Sequence, residues 1–585
     1  SPKNPRILAF LRRHEQETLL VVANFSRFVQ HVELDLRDYR GVRPLELFGL
    51  SRLGIISRRP YSLTVGPYGW YWLRLSETER RGWMEPSKAD EWIRLTVERD
   101  WRELVGAHHP QLESALVTFI KDKRWFGGKG KQLSRVNLVD AHPLELTKPD
   151  CYLLTIEAEY ATASSERYVV PLALATGLHS ESISKRNPEL IIGEVKTRAG
   201  EQLGLLHDAS LDRELVVRLC EMMNLNAKLD VNGCRISAEA FERIQLQNEG
   251  ERVEDLLISS LGVQQSNTSV RVGQNYVIKL LRRLEDGINP DLELGRYLTT
   301  VAHFSHVPAT AGDVTLKCGR TREPATVAIL QRFVENVGDA WAYTQRELAR
   351  YYRAALTADT QVLEAQPRPE LLGFNGTHPE PHLRALIGPY YDAVRIIGQR
   401  TAQMHACLAA ATENPSLVLE PFTTHYQRQL YQGFRSLTSR TIDRLAENLS
   451  SMPSNLHPKV QDLIGREAEI MKHFEVIRDS SISASRIRIH GDFHLGQLLC
   501  TGNDFIIVDF EGEPLRAVSE RRIKRCPLRD VAGMLRSFHY AAMHSLIHEM
   551  PGAVVRPSDR QALLPWADLW LSWVSSSFLE GYLAQ

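Results

Sequence analysis

The decisive stretch runs Arg486-Ile-Arg-Ile-His490-Gly491-Asp492-Phe493-His494-Leu495-Gly496-Gln497, then Phe505-Ile-Ile-Val-Asp509-Phe510-Glu511-Gly512-Glu513. Alternating and apolar runs mark a small β island, and the Gly and Asp residues between them mark turns. Asp492 and Gln497 stand five positions apart, so one loop can turn a carboxylate and a carboxamide oxygen toward one point. Phe505–Val508 has the composition of a buried strand, and Asp509 emerges at its end. Oxygen donors of this kind suit hard Mg2+ holding polyphosphate, whereas zinc favours His and Cys. A turn whose Asp and His satisfy backbone groups explains one such residue. It does not explain H-G-D-x-H-x-G-Q together with a strand-terminal Asp twelve residues later.

The spacing is that of a kinase catalytic loop, H-R-D-x-x-x-x-N followed by D-F-G, with Gly491 for the Arg and Gln497 for the Asn. In this reading Asp492 accepts the proton of an attacking hydroxyl, and Gln497 and Asp509 hold metal ions. Phosphoryl transfer asks the protein for positioning and charge neutralisation. It also asks for an N-terminal lobe. Tyr276-Val-Ile-Lys279-Leu-Leu281 is an apolar strand with one Lys, which must snorkel to water or meet a fixed anion. Asn289-Pro290-Asp291-Leu292-Glu293 reads as a helix start, with Asn at the cap and Pro in the first turn. Glu293 is expected to pair with Lys279. Before the strand stands Gln265-Ser266-Asn267-Thr268-Ser269 in place of a glycine-rich loop. Ser266, Asn267 and Thr268 are candidates to cover the phosphates of ATP with hydroxyl, amide and backbone N–H groups. Thr326–Leu330 leads into Gln331-Arg-Phe-Val334, where a hinge with Gln331 and Val334 would offer backbone hydrogen bonds to adenine.

Around this centre, 585 residues imply two to four domains. An apolar fraction of 43% and a charged fraction of 24% are ordinary for soluble globular chains. With 71 basic and 71 acidic residues the formal charge is zero, so neither nucleic acid nor an anionic membrane is indicated as a partner. The longest apolar run, Tyr168 to Leu178, contains Pro171 and is too short for a bilayer. Seven cysteines (151, 220, 234, 318, 407, 500, 526) are scattered without a CxxC. That predicts free core thiols rather than a disulfide framework or a zinc site, and from it a cytoplasmic location is inferred. No signal segment opens the chain. Ser1-Pro2-Lys3 lacks a methionine and stands directly before strand-like sequence, so a piece of a longer protein is expected.

Residues 6 to 75 carry several short β runs at spacings of about ten residues, the pattern of a small antiparallel sandwich. Residues 88 to 105, with Trp92, Leu95, Val97, Trp101 and Leu104, read as a helix behind a linker near 76–87. Asp122-Lys-Arg-Trp-Phe-Gly-Gly-Lys-Gly130 is either a glycine turn with solvated lysines or a phosphate-gripping loop, and it is not a Walker motif. Residues 250 to 335 alternate, with a hairpin turn at Gly273-Gln-Asn275. Beyond about 340 helices dominate, so the whole reads as a two-lobed α+β pattern.

HGDFHLGQ at 490–497 with DFEGEP at 509–514 resembles the maltokinase family, within the aminoglycoside-phosphotransferase-like kinases. RWFGGKG at 124–130, QSNTSV at 265–270, NPDLEL at 289–294, GDAW at 338–341 and DVAGMLRSFHYAA at 530–542 fall in the family order. The resemblance covers residues 88 to 585. It implies an α+β, two-lobed protein-kinase-like fold with an N-terminal cap subdomain, preceded by a small all-β sandwich. It further implies Mg2+-dependent transfer of phosphate from ATP to the anomeric hydroxyl of maltose, giving maltose 1-phosphate for α-glucan (glycogen) synthesis. Residues 1 to about 75 resemble the C-terminal β domain of trehalose synthase, which interconverts trehalose and maltose. A fusion with a trehalose synthase module upstream is therefore expected, and this piece lacks the catalytic barrel.

The expected division is a sandwich at 1–77, a cap at 88–200, an N-lobe at 201–335 and a helical C-lobe at 336–585. The resemblance places the acceptor pocket beside the catalytic loop, with Trp341, His494, Arg536, Tyr540 and Tyr582 as candidates. Trp566, Trp570 and Trp573, at helical spacing, read as core. Two alternatives stay open: a kinase for another small acceptor such as an aminoglycoside or choline, and a catalytically silent glycan-binding scaffold. The intact Lys279, Asp492, Gln497 and Asp509 set speaks against the second.

Overall fold

The computed structural model describes the chain apart from residues 1–3, 15–16, 27–29, 43, 47–55, 57–59, 66–68, 76–91, 107–108, 129–130, 145–150, 162, 247–255, 262–266, 320–321, 359–362, 364–368, 370–377, 515 and 548–554. The first part is all-β. Strands Ile7–His14, Glu17–Asn24, Trp70–Arg74 and Leu45–Glu46 form one antiparallel sheet in that order, and Gln30–Leu34 pairs with Tyr61–Val65. Leu20 and Val22 on one strand and Leu63 and Val65 on another stand two apart and meet in one core with Leu73, as the strand period dictates.

A six-stranded sheet follows, in the order Arg94–Val97, Ile191–Thr197, Gln202–Asp208, Glu166–Ala175, Cys151–Tyr160, Leu133–Pro143. The helix Pro110–Lys121 packs on it through Leu112, Leu116 and Ile120. The expected linker near 76–87 and the first four positions of the helix predicted over 88–105 lie outside the described residues, and the described part, 92–105, contains no α-helix. Arg94–Val97 is a strand paired in parallel with Ile191–Thr197, and Trp101–Val105 is one short 3₁₀ turn capped by Asp100. Leu95 and Val97 are two apart, and their partner strand lies about a hundred residues on, beyond the reach of any local pattern. The glycine turn is anchored rather than open: Gly127 N donates to Tyr168 Oη at 3.1 Å, and Tyr168 Oη donates to Glu166 at 2.7 Å.

A seven-stranded sheet then runs Lys228–Val231, Cys234–Ala240, Thr310–Cys318, Ala325–Arg332, Tyr276–Leu280, Thr268–Val272, Ile258–Ser260. Its hairpin 268–280 turns at Gly273, whose φ of 59° is left-handed. The expectation of free thiols fails at one pair. Cys234 and Cys318 face each other across neighbouring antiparallel strands and are joined as a disulfide, although 84 positions separate them.

From Ala340 onward helices dominate. Tyr390–Ala409 and Arg560–Leu583 approach closely: a Cβ on Gly398 would stand 2.1 Å from the Phe578 carbonyl oxygen, and one on Gly581 2.0 Å from that of Arg395. Trp566, Trp570 and Trp573 are buried in this core, with Trp570 stacked on Tyr390 at 5.6 Å. No helix among the described residues is long and apolar enough to cross a membrane. The seven-stranded sheet and the helical part meet at the 490–512 segment, where Phe510 N donates to Asp291 and Asn267 to Glu511, an α+β arrangement with the six-stranded sheet and the all-β region before it in the chain.

Candidate active site

The 490–494 loop is held from behind by a buried carboxylate. Asp530, in the first turn of the helix Leu528–Ile547, accepts hydrogen bonds from His490 N at 2.8 Å and Gly491 N at 2.9 Å. His405 Nε2 stands 3.1 Å from the same carboxylate, and His405 Nδ1 lies 3.0 Å from Tyr582 Oη. Burial pushes the Asp530 carboxyl up, but the His405 contact and the loop amides outweigh it and hold the group below its ordinary range. The close seating depends on Gly533, where a Cβ would come within 2.7 Å of the Phe493 carbonyl oxygen. From the front, the His490 ring packs between Phe493 and Phe510, and its Nε2 lies 2.9 Å from Val508 O. Asp492 is thereby presented at the surface of the cleft with its side chain 40% exposed.

Across the cleft, Lys279 Nζ lies 2.7 Å from Asp291 Oδ2 and 3.3 Å from Asp509 Oδ1. Burial alone would lower the Lys279 pKa, but these two carboxylates outweigh it and raise it, so the ammonium stays charged. Asp291 Oδ1 also accepts from Phe510 N at 3.0 Å, which ties the helix start to the strand end carrying Asp509. Asp509 sits at φ 69°, a left-handed conformation that Asp tolerates, and its Oδ2 accepts from Gln497 Nε2 at 3.3 Å. Glu511 is buried and accepts a hydrogen bond from Asn267 Nδ2. Carboxylate oxygens of Asp291, Asp509 and Glu511 lie within 4.8 Å of one another. Burial, and next the charge of Asp509, push the Glu511 carboxyl up to about 8. Hard oxygen donors at this density fit Mg2+.

The expected Lys279–Glu293 pair is absent. Glu293 instead binds Arg488, Arg522 (2.7 Å) and Ser416 Oγ (2.6 Å). Two residues along a helix are about 200° around its axis, so Asp291 and Glu293 face opposite sides and only the first reaches Lys279. Glu293 therefore clamps the Pro290–Thr300 helix to the helical lobe. Burial raises its pKa, but the hydrogen bond from Arg522 and the charge of Arg488 lower it further, to about 2. With an unfolded value near 4.3, the pair contributes about 3 kcal/mol. The folded pKa is the depressed one, so this stabilisation is present above the unfolded value and is lost as pH falls through the folded one. Urea unfolding between pH 5 and 2 should show the loss, and Glu293→Gln should remove that part of the slope.

Of the remaining nucleotide candidates, Ser266 lies outside the described residues. Thr268 Oγ1 accepts from Arg282 Nε at 2.8 Å, and Arg282 pairs with the buried Asp208 at 2.9 Å. Gln331 is buried within the sheet between Val277 and Thr310. Val334 follows the strand, and its carbonyl accepts from Asn336 Nδ2 at 2.8 Å. Gln331 is thus paired on both sides within the sheet, and Val334 stands just beyond the strand end.

Trp341, His494, Arg536 and Tyr540 line one cleft of about 630 Å3 with Asp492 at its wall. The Trp341 and Tyr540 rings stand 5.6 Å apart and tilted by 30°, and the Arg536 guanidinium lies 5.8 Å from the Tyr540 centroid. Tyr582 is not among the lining residues; it stands behind the loop as the partner of His405. Glu513 and Arg529 also line the cleft, and Asp530 and His405 support it. The sequence reading missed all four, though Glu513 and Asp530 lie inside the DFEGEP and DVAGMLR segments already singled out.

Residues 1–72 match the family model for the maltogenic amylase C-terminal domain, and residues 119–212 match that for the maltokinase N-terminal cap domain. A glucosamine kinase of Streptacidiphilus jiangxiensis is 24% identical over 322 residues, 55% of this chain and 60% of the relative. A trehalose synthase of Thermus thermophilus is 34% identical over 176 residues, 27% of this chain and 17% of the relative. The chain thus spans about three fifths of the first relative and under a fifth of the second. A solved glucosamine kinase in complex with glucosamine, ADP and inorganic phosphate covers 83% of this chain and 88% of its own, at 19% identity and a TM-score of 0.47. Along the chain, then, a segment similar to the maltogenic amylase C-terminal domain precedes one similar to the maltokinase N-terminal cap domain.

Proposed function

We propose that the chain is a sugar kinase that transfers the γ-phosphoryl group of ATP to the anomeric hydroxyl of maltose, giving maltose 1-phosphate and ADP. The observation that carries this reading is the position of Asp492. It forms the wall of an aromatic-sided cleft, on the loop whose downstream strand ends at the Asp291, Asp509 and Glu511 cluster beside Lys279. Asp492 accepts the proton of the acceptor hydroxyl. Lys279 carries a positive charge toward the phosphates, and Asn267 and Thr268 cover them. Asp509, Glu511 and Gln497 would hold Mg2+, which when bound would supply charge neutralisation to the transferred phosphoryl group.

Trp341 and Tyr540 present ring faces to the sugar, with Arg536, His494 and Glu513 supplying polar contacts. Trp341→Ala should raise the KM for the sugar by about tenfold with the KM for ATP unchanged, as steady-state kinetics will show. In the full-length protein a trehalose synthase module would lie upstream and supply maltose. The cytoplasm is its proposed location, and the proposed division remains 1–77, 88–200, 201–335 and 336–585.

Glucosamine is the second acceptor to test, because two of the matched relatives are glucosamine kinases and Glu513 places a carboxylate in the cleft. A steady-state screen of maltose, glucosamine, glucose, choline and kanamycin with Mg-ATP decides. The highest kcat/KM for maltose supports the reading, and no turnover of maltose ends it.

A further inference from the structure

Far from the cleft in function, a second cluster lies where the strand Leu133–Pro143 of the six-stranded sheet meets the strands Cys234–Ala240 and Thr310–Cys318 of the seven-stranded one. Both sulfurs of the Cys234–Cys318 pair and a ring nitrogen of His142 lie within 4.8 Å of one another. His142 is fully buried, and among the described residues neither of its ring nitrogens has a hydrogen-bond partner. Asp140 Oδ2 stands 3.6 Å from Cys234 Sγ and 3.8 Å from His142 Nε2. Its other oxygen accepts from Asn232 Nδ2 at 3.0 Å, which fixes the carboxylate in place.

A buried imidazole with both nitrogens idle is rare, because folded proteins pair their buried polar atoms. Two cysteines, one histidine and an adjacent carboxylate are the donor set of a tetrahedral soft-metal site.

We propose that, with the disulfide reduced, Cys234, Cys318 and His142, with Asp140 beside them, form a zinc site that clamps the six-stranded sheet to the seven-stranded one. Disulfide and metal are alternative occupants of the same position. A phosphine, oxidised to its oxide with oxygen from water, or a dithiol, oxidised to its own disulfide, supplies two electrons while water or the dithiol supplies two protons, and the S–S bond opens to two thiols. Each thiol gives up its proton as it takes the cation. This reverses the expectation drawn from cysteine spacing, since the ligands come together only through the meeting of two sheets.

The test uses the full chain, reduced with a phosphine in the absence of oxygen, freed of reagent and titrated with Co2+ and then Zn2+. A thiolate-to-cobalt charge-transfer band should saturate at roughly one equivalent and disappear when Zn2+ is added. Carboxylates of the nucleotide site cannot produce that band. Cys234→Ser and Cys318→Ser should abolish it, Cys407→Ser should keep it, and His142→Ala should weaken Co2+ affinity by at least about tenfold. Circular dichroism checks each fold. Should His142→Ala not fold, the partly exposed Cys318 keeps the question decidable through its serine variant. No thiolate band in the reduced wild type, or a band that survives Cys318→Ser, overturns the proposal and leaves a plain cross-link.

Discussion

Asp492→Asn should lower kcat for sugar phosphorylation by about 10³-fold, within the range that a positioned general base supplies. The side chain is 40% exposed, with His494 Nε2 at 4.0 Å from its carboxylate. Asn keeps the size and the loop, so stability should change by no more than about 0.5 kcal/mol. Only the ability to take the acceptor's proton is removed. The KM for Mg-ATP should therefore stay within about threefold, because Lys279 and the carboxylate cluster are untouched. Steady-state kinetics and a thermal melt on the same preparation check both halves. Activity retained within about tenfold would remove Asp492 from proton transfer.

Asp509→Asn tests the other side of the cleft and should cost at least about 100-fold in kcat/KM, close to 3 kcal/mol. Asn also tolerates the left-handed backbone at this position, so the local fold should persist. What is lost is one negative charge facing Lys279 and, on the proposed reading, the nucleotide-bound Mg2+. Calorimetric titration should show weakened ATP affinity in the presence of Mg2+ and little change without it. Equal affinity with and without the substitution under Mg2+ would count against Asp509 as a metal ligand.

The centre of this site was legible because its chemistry is local. H-G-D-x-H-x-G-Q, the strand ending at Asp509 and the strand bearing Lys279 each lie within one loop or one strand, where spacing decides which side chains share a turn. The hairpin turn at Gly273 and the Asn289 cap were legible for the same reason. In its described part, 92–105, the helix expected over 88–105 failed because a four-residue strand and a short turn together imitate helical spacing.

Other features were settled by rotation and by distance along the chain. Asp291 and Glu293 are both acids in one helical turn, and only the phase of that helix against the sheet sends the first to Lys279 and the second to Arg488 and Arg522. Asp530, His405 and Tyr582 converge behind the catalytic loop from three separate helices. Cys234 meets Cys318 across 84 positions because their strands are sheet neighbours, and His142 joins them from a different sheet. By itself, then, the sequence placed Asp492 and Gln497 on one turn and Lys279 on a strand, and read the α+β pattern, all products of spacing along a short segment. Tertiary structure alone decided which acid pairs with Lys279, what supports the loop and where the thiols meet, because those depend on how distant elements pack.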